Sequence, residues 1–145
     1  MLGYGSWPYC GEIDIMEHVG NDPDMISHAL HTAQANGSNG RNWHSQARGL
    51  NVEGEWHTYG AEWLQNYQDG RDIIIFTIDG QPTARKIQSP NAAKDSWPFN
   101  DKFFIIFNMA IGGNMGGTVN DDIFNSEVKL LVDYVRVYQK KYPIE

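Results

Sequence analysis

One cysteine, Cys10, is the whole thiol content of 145 residues, so neither an internal disulfide nor a Cys-x-x-Cys metal or redox site can form. A lone thiol of this kind reads as a small buried apolar side chain. Basic residues are also scarce. Eleven Lys plus Arg against 18 Asp plus Glu leave a formal net charge of −7, which argues against a nucleic-acid reader, since those carry a basic patch that releases counterions on binding. No apolar run approaches the roughly 20 residues of a membrane span; the best, Phe103 to Phe107, is strand-sized. The first residues lack a charged n-region and an apolar h-region, so no export signal is read there. Helical periodicity is missing outside a short turn expected at Asn91 to Ser96. The length falls short of the roughly 200 to 250 residues that all-β domains often use. We therefore read residues 1–145 as one partial domain, without repeat or linker.

What is present is strand signal. Gly11 to Val19, Ser27 to Gln34, Trp56 to Trp63, Ile73 to Asp79, Phe103 to Ile111 and Val128 to Gln139 are short β-branched and aromatic runs bounded by turn residues. Asp79-Gly80 before Pro82 to Arg85 predicts a hairpin, because both residues tolerate the positive φ of a tight turn. Asn36 to Gly40 and Gly112 to Gly117 read as Gly-rich loops at a sheet edge or cleft. Asn36-Gly37-Ser38 matches a glycosylation sequon by pattern.

The segment Glu12-Ile13-Asp14-Ile15-Met16-Glu17 sets three carboxylates within six residues. On a regular strand Glu12 and Asp14 share one face while Ile13 and Ile15 face the core. Strict alternation would bury Glu17, where an unpaired charge is costly. One extra residue near Met16, a β-bulge, returns Glu17 to the face of its two acidic neighbours. Three carboxylates on one face repel, so one is expected to hold its proton near neutrality while another stays ionised. Glycoside cleavage needs that division: an ionised nucleophile at the anomeric carbon and a protonated partner at the leaving oxygen. Five Trp, seven Tyr and six Phe add rings on which the C–H faces of sugars stack. The bland alternative is an exposed acidic strand.

These residues also carry a resemblance. Glu12 to Glu17, preceded by Trp7-Pro8 and followed by His18-Val19-Gly20, resembles the active-site strand of glycoside hydrolase family 16, in particular its bacterial laminarinase (endo-β-1,3-glucanase) branch. Further blocks match in order: Leu30-His31-Thr32, Trp56 to Trp63, Trp97-Pro98-Phe99, Asn108 to Gly117 and Val132 to Gln139. The resemblance covers somewhat more than the C-terminal half of the family domain. It implies an all-β, two-sheet antiparallel jelly roll (a concanavalin A-like sandwich) that lacks its N-terminal strands, with Glu12 as nucleophile, Glu17 as general acid/base and Asp14 tuning Glu12. The inserted Met16 favours a β-1,3-glucan substrate.

Among supporting residues, Trp7 is expected to stack on a sugar, and His31 to bond the acid/base carboxylate from the neighbouring strand. Trp97 reads as a rim platform or core, and Asn108 as a polar cleft residue in an apolar strand. Asp133, a carboxylate in an apolar stretch, suits a structural calcium that the family often binds; the chemistry itself needs no cofactor. His28, His44 and His57 show no metal-ligand spacing. The expected partner is a β-glucan polysaccharide or oligosaccharide, with no nucleic acid or membrane. Sheet edges bared by missing strands invite a homodimer or strand exchange. A polymeric substrate implies an extracellular or periplasmic location. The function read is a retaining endo-β-1,3-glucanase; the alternative is a non-catalytic carbohydrate-binding module or inactive fragment of the same fold.

Overall fold

A computed structural model describes residues 1–139. Its contacts divide into a unit Met1–Asn108 and a second from Met109 onward. The first unit is all-β, and its eight strands are β1 Leu2–Gly3, β2 Glu12–Glu17, β3 Met25–His31, β4 Trp43–Arg48, β5 Tyr59–Gln68, β6 Arg71–Ile78, β7 Gln81–Ile87 and β8 Phe103–Phe104. They form a five-stranded sheet in the order β4-β3-β2-β1-β8 and a three-stranded sheet β5-β6-β7. Every ladder is antiparallel, as the two-sheet expectation requires.

The core lies where the inner faces meet. Ile13 of β2 and Leu30 of β3 pack with Ile74 and Phe76 of β6, and Trp97 and Phe99 close the cluster. Alternation produces this: Ile13 is buried while Glu12 and Asp14 flank it half-exposed, and Ile74, Phe76 and Ile78 are buried at every second position of β6. Truncating a fully buried Ile or Phe in such a layer costs about 2–5 kcal/mol. Cys10 is buried, as a structural thiol should be. The Asp79-Gly80 hairpin is present, with φ of 50° and 74° at the two turn residues. The turn expected at Asn91 to Ser96 appears as bonds from the Ser96 and Trp97 amides to the Ala93 carbonyl.

Several boundaries move. β3 ends at His31, because the Thr32 amide turns away to the Ala35 carbonyl. Strand β4 has no counterpart among the expected strands, since polar residues occupy both its faces and mask the alternation. The run Phe103 to Ile111 is a strand only at Phe103–Phe104. Its neighbour β1 offers two residues, pairing Leu2 with Phe104 and Gly3 with Phe103, so no ladder partner remains for Ile105 to Ile111. Val128 to Gln139 forms no strand among the described residues. From Met109 on, the described chain holds only one helical turn, α1 Gly113–Gly116, and a 3-10 turn, Asp121–Asn125. An alternating sequence becomes a strand only where another strand accepts its backbone hydrogen bonds. The Gly112 to Gly117 loop is thus mostly helical.

Candidate active site

The strand that carries the acidic residues is entered from Gly11, which must be glycine: its φ is +76°, and a Cβ there would come within 2.6 Å of Pro98 Cγ. From that entry β2 pairs with β3 in a register that decides the face of every side chain. Glu12 opposes His31, Asp14 opposes Ala29, and after a register shift Glu17 opposes Ser27. His31, Ala29 and Ser27 alternate along β3 and therefore share one face. Three residues of β2 span the distance that two span on β3, which is the β-bulge the carboxylate spacing called for. Glu12, Asp14 and Glu17 consequently stand on one face, and Ile13, opposite Leu30, on the other.

Contacts on that face are short. Trp7 Nε1 donates to Glu12 Oε2 at 2.7 Å, which holds one carboxylate oxygen and leaves the other free. The partner expected for His31, the acid/base carboxylate Glu17, is corrected to Asp14: His31 Nε2 lies 3.1 Å from Asp14 Oδ2. The Gly37 amide donates to His31 Nδ1 at 3.0 Å, so in the neutral ring the proton sits on Nε2, the nitrogen nearer Asp14. The Trp7 and His31 rings lie 6.2 Å apart, tilted by 47°. One ligand-type atom from each of Glu12, Asp14 and His31 lies within 4.8 Å of the others.

Electrostatics divide the carboxyls. Burial pushes Glu17 up to about 6, the Asp14 and Glu12 charges add to this, and His31 and His44 oppose it. Asp14 raises the His31 imidazole above its ordinary value, against the effect of burial. A carboxyl that keeps its proton up to about pH 6, beside two further carboxylates, is the arrangement that acid-assisted glycosidic cleavage uses.

The structure thus brings together five of the expected residues: Trp7, Glu12, Asp14, Glu17 and His31. Trp97 is a correction. It is 5% exposed, stands edge-to-face on Phe99 at 4.9 Å and belongs to the core cluster, so it is no rim platform. Asn108 is exposed beyond the end of β8. Asp133 belongs to no group of three or more carboxylate, imidazole or thiol ligands among the described residues. The Asn36 sequon is a match by pattern only: that side chain is buried, donates to the Thr32 and Ala33 carbonyls and caps the 3-10 turn Gly37–Asn39. It is occupied as structure.

Three residues near the site escaped the sequence reading. β4 pairs with β3 so that Ala29 opposes His44 and Ser27 opposes Gln46. His44 and Gln46 therefore continue the carboxylate face beyond two small side chains, and both are exposed. The other is His28, which faces the core. Only the alternation of β4 could have signalled His44.

A family model described as glycosyl hydrolases family 16 matches residues 2–135. A β-glucanase of Rhodothermus marinus is 36% identical over 138 residues, covering 94% of this chain and 48% of that protein. A keratan-sulfate endo-1,4-β-galactosidase of Sphingobacterium multivorum is 32% identical over 94% of this chain and 30% of its own length. The crystal structure of a laminarinase from Flavobacterium sp. UMI-01 superimposes with a TM-score of 0.69 at 34% identity, covering 85% of this chain and 52% of that one. The chain spans about half the length of these relatives, or less.

Proposed function

The chain belongs to glycosyl hydrolase family 16, and from that premise we propose that it is the catalytic-strand part of a retaining endo-β-glucanase that cleaves β-1,3-glucan by double displacement. The observation that carries this reading is the bulged register of β2, which sets Glu12, Asp14 and Glu17 on one face and gives Glu17 a titration near 6.

In the first step the free oxygen of Glu12 attacks the anomeric carbon, the bond from that carbon to the glycosidic oxygen breaks, and Glu17 passes its proton to the departing oxygen. In the second, ionised Glu17 takes a proton from water, the hydroxide oxygen attacks the same carbon, and Glu12 leaves as carboxylate. Trp7 fixes Glu12 through its indole N–H. Asp14, balanced by His31, keeps negative charge near both carboxyls, which favours the protonated form of Glu17 before cleavage. No step needs a metal or organic cofactor.

A β-glucan is the favoured polymer because the β-glucanase and laminarinase relatives are 36% and 34% identical, against 32% for the galactosidase. The galactosidase relative keeps galactans as the runner-up. A polymer too large to enter a cell supports an extracellular or periplasmic location. The test is reducing-sugar release from laminarin, lichenan, agarose and carrageenan by the protein and its Glu12→Gln variant. Release from laminarin that E12Q lowers at least about 1,000-fold is expected; binding without release, equal in both proteins, establishes a carbohydrate-binding module instead.

A further inference from the structure

The bulge that aims Glu17 breaks the ladder between Asp14 and Glu17, so backbone groups of Ile15 and Met16 lose their strand partners and need others. His28 supplies one. Its Nδ1 lies 2.6 Å from the Ile15 carbonyl, and its Nε2 lies 2.9 Å from Thr83 Oγ1 on β7. The ring is fully buried and stacks on Phe76 at 4.8 Å with planes 16° apart. A carbonyl can only accept, so Nδ1 carries a proton. Burial lowers the basicity of this imidazole, so the ring is neutral, and the Thr83 hydroxyl shares its one proton between Nε2 at 2.9 Å and the Phe76 carbonyl at 3.3 Å. The pair therefore ties the irregular point of the acidic strand to the opposite sheet, with both ring nitrogens used. An apolar side chain of similar volume would fill the space and leave the Ile15 carbonyl without a partner.

We propose that His28, oriented by Thr83, is the positioning residue that locks the bulge and so keeps Glu17 on the substrate face of β2. This rests on the reading of Glu17 as the acid/base residue. A buried histidine serving only the core would stabilise the sandwich equally well without any bearing on Glu17, and the two roles give different results.

The experiment tracks the carboxyl carbon of Glu17 by NMR in the whole chain with labelled glutamate, assigned by its loss in Glu17→Gln. The groups acting on that carboxyl are Asp14, Glu12, His31 and His44, all unchanged in the variants used. The wild type is expected to titrate near 6. His28→Gln, whose amide can donate to Ile15 and accept from Thr83, should keep that midpoint. His28→Leu should lower it by about one pH unit as Glu17 gains water, and Thr83→Val, which removes the donor to Nε2, should move it the same way by less. Ile74→Val, a core truncation with no polar link to the bulge, should lower the melting temperature and leave the midpoint in place. Where laminarin is hydrolysed, His28→Leu should reduce kcat about 100-fold with little change in KM.

An unchanged midpoint in His28→Leu, or an equal shift in Ile74→Val, overturns the proposal. If His28→Leu does not fold, Thr83→Val decides, and an unmoved Glu17 there overturns it as well. The titration uses no substrate, so a wild type that titrates near 6 and loses this in His28→Leu, yet releases no sugar, counts against the catalytic reading alone.

Discussion

Glu17 shows at the scale of one residue how function and stability pull apart. Its folded titration near 6 lies above the ordinary 4.5, so the fold penalises the ionised form. For a raised carboxyl the sign is a cost that is absent below about pH 4.5, grows through pH 6 and is complete above it. Glu17→Gln should therefore be more stable than the wild type at pH 7 to 8 by about 1 kcal/mol, after halving for the solvent that reaches a half-buried group. Thermal melts should show the gap closing as pH falls to 4. The same proton gives kcat/KM a descending limb near pH 6 in the wild type, because the acid form is lost there.

The three carboxylates were legible because a conflict was: regular alternation would have buried a charge, and a bulge resolves it. His28 was not legible, since its use depends on a carbonyl freed on the neighbouring strand and on Thr83, 55 positions later. Trp97 carried no sign of its fate either, as an indole serves a cleft or a core equally well and only packing against Phe99 decides.

Elements were readable where a local rule fixes them. The β6–β7 hairpin comes from Asp79-Gly80, and Asp79 does more than turn the chain. Its Oδ2 lies 2.8 Å from His57 Nδ1 and its Oδ1 accepts from the Thr58 amide at 2.8 Å, while His57 Nε2 lies 3.0 Å from the Asn51 carbonyl. Both partners of the imidazole accept, so both its nitrogens carry protons and the ring is cationic. Asp79 raises His57 above its ordinary 6.5, and His57 holds Asp79 below 3.8. The stability from His57 is complete below its unfolded value and is lost as pH rises through the higher folded one. That from Asp79 is present above its unfolded value and is lost as pH falls through the lower folded one. Asp79→Asn keeps the positive-φ turn and the bond to Thr58 and removes the charge. Its melting temperature should fall below the wild type's most between about pH 4 and 6.5, and the gap should shrink toward alkaline pH. The Phe103 to Ile111 and Val128 to Gln139 runs show the other side: their apolar, β-branched and aromatic residues suit strands, but a strand needs a neighbour, and a property of two segments is not written in one.

At the scale of the molecule, one half-length chain carries a complete acidic strand and much uncovered apolar surface. Phe107, Met109, Ile111, Phe124, Leu131, Val135 and Val137 are each more than half exposed, where soluble monomers keep such patches small. Sedimentation velocity on these 145 residues should show association that grows with concentration, in keeping with the homodimer or strand exchange expected from bared edges; a monomer at all concentrations contradicts that. The all-β character, the bulge and the carboxylate face could be read from alternation and charge, whereas the two-sheet sandwich and the places of Trp7 and His31 came from the family resemblance.

The most direct test of the central claim is covalent trapping. Incubation with an activated 2-deoxy-2-fluoro β-1,3-glucoside, which slows release of the second step, should add one glycosyl mass to the intact protein, and peptide mapping should place it on Glu12. No adduct, or an adduct on Glu17 with Glu12 unmodified, contradicts the assignment of nucleophile and acid on this strand.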